Sequence, residues 1–559
     1  MKSPLGRTAL PCVLLAGTAL CALAAAPAHA QATARQHRAP DANGVDLTWG
    51  DYLMRFTEGS IGAGEAELAL VRTGVRTGTA ENGHEWDGVL FVQDRSSGVE
   101  KNNVFLGPVV ETFAGAASSP RGSVLSGGGG SYTYTRSDGT SIEFSDISAS
   151  SGSGSNLCNG SADQVHCSLL PTSVSSPNGN TVSIEHDLRS YCTAVMVLDQ
   201  EPNCTYYSRI SRISNGYGYS IGFTYASNGG GTTAPPPADW FRRTGAAFYN
   251  SNVSAGTPQA SVSYSYPSSG VTEVTDMGGN QWRFTGTVNG VTSIRRPGAS
   301  SATTTIGYAS GSNVSSVTNE GVTTGYSRSV SGSTATMTVT NALGQVSTIV
   351  SDLAVGRPTS ATDPLGRTTS WQYDSHGRLT RTTAPEGNYV QLGYDSRGNV
   401  TQSQAVAKPG SGAAAITTSA TYASSCSVDP ACNSPLTTTD ARGNITDYSY
   451  DSTHGGLLTV TAPAPASGAA RPQTRYGYTL TNGEYRLTSV SQCQTGASCA
   501  GTADEVKSAI AYDSNGNVIS ASVGSGNGAL TAATAMTYDA MGNLVTVDGP
   551  LSGSADTVR

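Results

Sequence analysis

Few residues in this 559-residue chain have the types and spacings from which catalysis is made. Gly218-Tyr219-Ser220-Ile221-Gly222 matches G-x-S-x-G. A nucleophile elbow needs a strand, a sharp turn and then a helix, with an acid and a histidine downstream. Here the match lies inside ISNGYGYSIGFTYA, an alternating run with no helical period after it, so it reads as a strand. After residue 30 the histidines are His37, His84, His166, His186, His376 and His454, and no two share the i, i+4 spacing of a helical metal site. His376 and His454 fall at variable turn positions and read as exposed, as does the segment Gly83–Phe91 that contains His84. Asp513-Ser514-Asn515-Gly516-Asn517 superficially suggests a calcium loop. It lacks the closing acidic ligand, and related copies replace the Asn by His or Arg, so a turn is the better reading. There is no phosphate-binding Gly-rich loop. The expectation is no catalytic site, no metal and no cofactor.

Cysteine is the remaining reactive residue. Cys12 and Cys21 lie in an N-terminal leader, with Lys2 and Arg7 ahead of the apolar stretch Leu10–Ala26 and an A-x-A site at Ala28-His29-Ala30. Leu20 before Cys21 argues against lipidation. The eight others fall into four local pairs, Cys158 with Cys167, Cys192 with Cys204, Cys426 with Cys432 and Cys493 with Cys499. An oxidising compartment favours disulfides, although order alone does not fix connectivity. There is no CxxC to support zinc. No later segment approaches the ~20 apolar residues of a membrane helix. The sequence therefore predicts Sec-type export to the periplasm, the cell surface or the medium, with no membrane span after leader removal.

The chain carries 32 Lys and Arg against 40 Asp and Glu, a net charge of −8, and only 13% charged residues. An acidic chain without a basic run is a poor nucleic-acid partner. The low charge also argues against a charge-rich disordered chain.

The elements that must position these residues are strands. YTYTRS, TVSIEHDL and SVSYSY alternate in the strand period, and Asn-Gly at Asn178-Gly179, Asn215-Gly216 and Asn289-Gly290 marks hairpins. Gly/Ser/Pro-rich stretches punctuate the chain near 127–131, 148–155, 228–237, 408–415 and 462–472. The predicted organisation is a leader at 1–30, an N-terminal β domain at 31–147, a β-rich transition region at 148–260 with degenerate repeats and two cysteine pairs, and a repeat array at 261–559, open at its C-terminal end.

The repeat is the decisive signal. Tyr-Asp recurs at Tyr373-Asp374, Tyr394-Asp395, Tyr450-Asp451, Tyr512-Asp513 and Tyr538-Asp539. Four copies place Gly377, Gly398, Gly516 and Gly542 three residues after the Asp; the fifth, YDSTHGGLLTV, carries an insertion. A second element, TDPLG and TDARG, puts Asp363 and Asp440 each 11 residues ahead of a repeat Asp, and two full units are 21 residues apart. Weaker copies begin at Ser176, Thr275 and Thr340. Asp at the first turn position can accept the amides ahead of it, and Gly can take positive φ. Tyr offers a face to pack and a hydroxyl that tolerates water. One unit is two short strands and two turns, which must stack on neighbours to bury anything.

The motif Y-D-x-x-G-[RN]-[LV] resembles that of the RHS, or YD-repeat, family. The resemblance implies an all-β chain: an N-terminal strand-rich domain followed by a β-hairpin array forming part of a spiralling, hollow β-shell. In bacterial toxins of this family the shell encloses a C-terminal effector; other members are described as surface proteins with proposed adhesion or sugar binding. This chain departs from the toxin pattern, because DPLG at Asp363–Gly366 sits mid-array and no cleavage boundary or effector follows. The expectation is a non-enzymatic wall whose shell is completed by further repeats or a companion chain. The alternative is a carbohydrate-binding or adhesion protein whose Tyr residues, Trp371 and Asn-rich turns touch glycans or the cell envelope.

Overall fold

The computed structural model describes residues 38–559 apart from 75–82, 95–100, 107–108, 115–121, 129, 147–157, 160–165, 194–202, 230–234, 288, 310–311, 426–429 and 496–497. The leader, with Cys12 and Cys21, lies outside the described residues, as do His37 and Cys426. Strands joined by turns and loops make up the described part, with one helical turn at Ala238–Phe241 and two 3-10 turns at Gly64–Ala66 and Glu85–Gly88. The all-β expectation holds.

Strands β1 (Met54–Ile61) and β2 (Leu68–Gly74) form a separate hairpin. Strands β3 (Val89–Asp94), β4 (Lys101–Leu106) and β5 (Val109–Ala114) make one meander. Strands β6 (Val124–Gly128), β7 (Ser131–Thr135) and β8 (Ser141–Ser145) make another. After the short β9 (Cys158–Asn159), β10 (His166–Ser175) joins them. Its first half pairs with β3 and β9, and its second half with β8 on one side and β11 (Thr181–Thr193) on the other. From there the chain runs through β12 (Asn203–Asn215), β13 (Tyr219–Tyr225), β14 (Arg243–Asn250) and β15 (Ala260–Ser268) to Thr557–Val558. Each of these strands pairs antiparallel with the next.

Sequential antiparallel pairing sends successive turns to opposite edges of the sheet. One edge, the upper rim, carries the turns near 138, 178, 216, 250, 277, 342, 364 and 441; the lower rim carries those near 375, 396, 453, 482, 514 and 540. The Tyr-Asp turns are thus all on the lower rim, and the TDPLG-type turns all on the upper.

The main core sits on one face of the first part of this sheet. Phe248, Val262, Val274, Phe284, Ile306, Val317 and Met337 pack there against Val45, Met54, Ile61, Leu68 and Leu70 of the N-terminal segment. A smaller core under β3 to β10 contains Phe91, Phe113, Tyr134, Phe144 and Leu169. Beyond Ile349 the only buried apolar side chains among the described residues are Ala431 and Cys499. The sheet goes on, but the hairpin that covers its face does not.

Phe284 is 1% exposed and touches the Phe56 ring, with centroids 5.5 Å apart. Phe284→Ala should cost about 3–5 kcal/mol, whereas Ile519→Ala on the uncovered part, 38% exposed, should stay within ~1 kcal/mol. Urea melts followed by far-UV circular dichroism distinguish the two.

Candidate functional site

Each Tyr-Asp unit is a hydrogen-bonded joint. Oδ1 of Asp374 accepts the amides of His376 and Arg378, both at 2.9 Å, and Oδ2 accepts Nε of Arg378 at 2.6 Å. Gly377 closes the turn with φ +73° and donates its amide to the Asp374 carbonyl at 2.9 Å. Asp395, Asp440, Asp513 and Asp539 accept amides two and four residues ahead in the same way, with the Asn side chain of the fourth residue on the second oxygen. At Asp440 the Asn444 side chain leads the bonds that hold the carboxyl below its ordinary range. Asp276 and Asn341 cap the weaker copies identically. The copy at Ser176 differs: there Oδ1 of Asn178 takes the Asn180 amide. In the fifth copy Asp451 reaches Thr453 and His454, and the ladder resumes at Gly456, which absorbs the inserted residue.

The tyrosine has a separate task. A register shift immediately precedes Tyr373, Tyr394, Tyr450, Tyr512 and Tyr538. Such a bulge bends the strand and increases its twist. Each tyrosine then donates its hydroxyl across to the preceding strand: Tyr394 to the Leu379 carbonyl at 2.6 Å, Tyr538 to Val518 at 2.9 Å, Tyr373 to Pro358 at 2.8 Å. Leu379 and Val518 are the [LV] of the preceding signature, so each unit grips the one before it. Burial raises these phenols above their ordinary value, which keeps them neutral donors. Arg378 also lies over the Tyr394 ring, 4.9 Å from its centroid. Tyr225, Tyr308, Tyr422 and Tyr478 do the same task without a following Asp. The sequence reading missed them because it searched for the dipeptide; Tyr at a strand end was the signal available.

The bent sheet returns to itself. Asn433 on the lower rim donates to the Ser137 carbonyl on the upper rim at 3.0 Å, 296 residues away. Asn515 donates to the Tyr217 carbonyl, 298 residues away, at 2.9 Å, and exchanges bonds with the Asn250 carboxamide. Asn250 also reaches the Ala540 carbonyl, 290 residues away. The Tyr485 amide donates to the Asn178 carbonyl at 2.7 Å, and Arg486 lies over the Tyr217 ring, 4.2 Å from its centroid. Every contact joins an early upper turn to a late lower turn. At about 4.8 Å between strands, the roughly 23 strands of such an interval give a perimeter on the order of 110 Å and a width on the order of 35 Å. Among the described residues this seam closes through turns, with no strand pair across it.

A second polar cluster ties the N-terminal segment to the wall. Glu58 of β1 meets Nε of Arg72, Nε2 of His84 at 2.9 Å and the Tyr264 hydroxyl. Arg243 of β14 grips Asp87 with two nitrogens, each at 2.7 Å, and approaches Nδ1 of His84. The sequence reading placed His84 at the surface; it is 3% exposed, and Phe91 is fully buried. The tail of the motif, EWDG, folds back as a 3-10 turn that carries His84 inward.

The other candidates fall as follows. Ser220 is a buried strand residue whose Oγ accepts from Arg212 at 2.7 Å, with β14, not a helix, next to its strand. His376 is exposed as expected. His454 is not: it is buried, and its ring stacks on Tyr485 with centroids 4.3 Å apart, because its turn faces the Asn482-Gly483 hairpin. Both oxygens of Asp513 are occupied by protein donors. Cys493 is bonded to Cys499, and Cys432 is disulfide-bonded. Cys158 lies opposite Cys167 and Cys192 opposite Cys204 in backbone register.

Residues 352–389 and 373–407 match the RHS Repeat family. RHS repeats are thus matched within residues 352–407. Solved structures that resemble it include the crystal structure of TcdB2-TccC3-Cdc42, at 12% identity over 78% of this chain and 21% of that chain, with a TM-score of 0.36. The Tc holotoxin pore of Photorhabdus luminescens carrying TccC3-D651A is 13% identical over 82% of this chain and 22% of that chain, with a TM-score of 0.35. This chain thus spans about a fifth of the length of those chains. No curated protein matches it.

Two glycines separate turn strain from seam packing. Gly443 and Gly516 have φ of +83° and +82°; a Cβ on Gly443 meets open space, while one on Gly516 would lie 2.5 Å from the Tyr217 ring. Gly443→Ala should cost on the order of 1 kcal/mol. Gly516→Ala should cost clearly more, and hydrogen exchange should show the loss at the Tyr217 and Asn515 turns.

Proposed function

We propose that this RHS-repeat chain is a section of the wall of a β-shell that encloses or presents a polypeptide effector these residues do not include. The observation that carries the reading is the seam. Upper turns of the early strands carry lower turns of strands almost 300 residues later, at several independent places. A sheet that meets its own edge in this way surrounds space. Companion RHS-type chains are the partners that such a rim fits, because its contacts are made by turns of the same kind. The wall itself does no chemistry: its repeated carboxylates are spent on turn amides. The alternative reading, a glycan-binding adhesin, lacks a supporting observation here, since the signature tyrosines are half-buried and their hydroxyls engaged.

Export is part of the proposal. The leader features and the disulfide at Cys493–Cys499 suit an oxidising compartment. Mass spectrometry of the chain recovered from the periplasm or medium should find Gln31 as its first residue; retention in the cytosol with Met1 intact would refute export. Small-angle scattering of the purified chain should give a curved, hollow particle about 35 Å across the wall centres, on the strand spacing used above. A profile fitted by an extended ribbon would overturn the shell reading.

A further inference from the structure

We propose that the cluster around His84 is an acid-sensitive latch that holds the β1–β2 hairpin against the wall at neutral pH and releases it as pH falls. The geometry fixes the histidine's state. Nδ1 lies 2.5 Å from a guanidinium nitrogen of Arg243, which can only donate, so Nδ1 presents a lone pair. Nε2 lies 2.9 Å from the Glu58 carboxylate, which accepts, so Nε2 carries the proton. His84 is therefore neutral. With Glu58 and Asp87 facing Arg72 and Arg243, the buried charges then sum to zero.

A proton on Nδ1 breaks this balance. It sets N–H against N–H at hydrogen-bond distance and puts a third cation where two anions lie. The groups facing the ring are Glu58 from β1, Arg72 from β2, Asp87 from its own turn, Tyr225 from β13, Arg243 from β14 and Tyr264 from β15. His186 and Asp187 of β11 lie further out, and Nε2 of His186 faces the Pro171 carbonyl at 2.8 Å. Burial lowers the His84 value below its ordinary 6.5, Glu58 opposes this and Arg243 adds to it. Burial would raise Glu58, but Arg72 and His84 outweigh it and bring the carboxyl down to about 2, so it stays charged throughout mild acid. A histidine depressed in the folded state binds more protons unfolded. Its stabilisation is present above the ordinary value and is lost as pH falls below it.

The cluster is positioned to act as a latch because its bonds to Tyr264 and Arg243 all cross one interface. Glu58, Arg72, His84 and Asp87 belong to the N-terminal segment, and Tyr264 and Arg243 to the wall. Behind them lie Phe248 and Phe284 of the wall, which the hairpin covers with Phe56. Opening the latch uncovers apolar wall without cutting the ladder between wall strands.

Hydrogen exchange of the full chain at pH 7.5 and 5.5, corrected for intrinsic rates, tests this. Amides of Met54–Gly74 should open several-fold more often at pH 5.5, with about 10-fold the ceiling that one histidine of ordinary value 6.5 supplies over this interval, while amides of Gln473–Tyr538 keep their protection. His84→Gln should flatten the pH response of the hairpin, and His186→Gln should leave it. Unchanged hairpin protection in the wild-type chain at pH 5.5 overturns the proposal without any variant. A pH response that survives in His84→Gln, or one that vanishes in His186→Gln, also overturns it.

Discussion

The wall depends on one hydrogen bond repeated along it, from a tyrosine hydroxyl at the end of one strand to a carbonyl of the strand before. A carbonyl in an antiparallel ladder normally faces its neighbour's amide. The bulge at each tyrosine lies in its pairing with the following strand, and the residue paired with the tyrosine there supplies the carbonyl that the next tyrosine meets: Leu379, opposite Tyr373, accepts from Tyr394, and Val518, opposite Tyr512, accepts from Tyr538. The bend of one unit and the bond of the next therefore meet at the same residue. Without that hydroxyl, a carbonyl beside the bulge loses its partner in a half-buried place. The bond recurs from Tyr225 to Tyr538, and the sheet along which it recurs returns to its own earlier turns.

The two halves of the sheet are stabilised differently. From β11 to about Ile349 the face is closed by the N-terminal segment and holds a dry core. Later strands, such as Thr368–Tyr373 and Thr437–Thr439, show half-buried patterns with no fully buried position. There stability falls to backbone ladders, turn caps and tyrosine bonds, each worth about 1 kcal/mol net. This division explains the composition. A chain with 13% charged residues and abundant Thr and Ser can leave a strand face wet without leaving buried charges unpaired. Five ionisable side chains, Glu58, Arg72, His84, Asp87 and Arg243, meet in one cluster where the N-terminal segment crosses the wall, while the later wall holds pairs such as Arg475–Glu505 and Arg486–Glu484.

The sequence made the repeat unit legible because its determinants are local. Asp, Gly and the following [RN]-[LV] all act within five residues, so spacing alone told of the turn. The strand reading of Ser220 succeeded for the same reason. Burial of His84 and His454 was not legible, because both depend on partners far along the chain, Arg243 for one and the Asn482-Gly483 hairpin for the other. The Asn-Gly cue at Asn215 marks a hairpin that forms, β12 with β13, on a wider turn than the dipeptide alone: Asn215 caps the amides of Tyr217 and Tyr219, and Gly218, not Gly216, takes positive φ. The dipeptide does form a tight turn at Asn482-Gly483, where Asn482 itself has φ +54°.

Insertions in the array follow the geometry of the rims. The loops at 408–415 and 464–470 lie on the upper rim and are exposed throughout. The loop around Pro430 to Pro435 lies on the lower rim, is half-buried, and packs on Gly139 and Ser137 of the earlier turn. A lower-rim insertion must fit the turn beneath it, whereas an upper-rim insertion beyond the seam meets only solvent. Disulfides occur on both rims: Cys432 belongs to a loop that fills the seam, and Cys493–Cys499 to an upper-rim loop in which Cys499 is buried beside Arg475. Rim position thus decides whether an insertion must be shaped to fit or is free to vary, and the alternation of turns along an antiparallel ladder decides the rim.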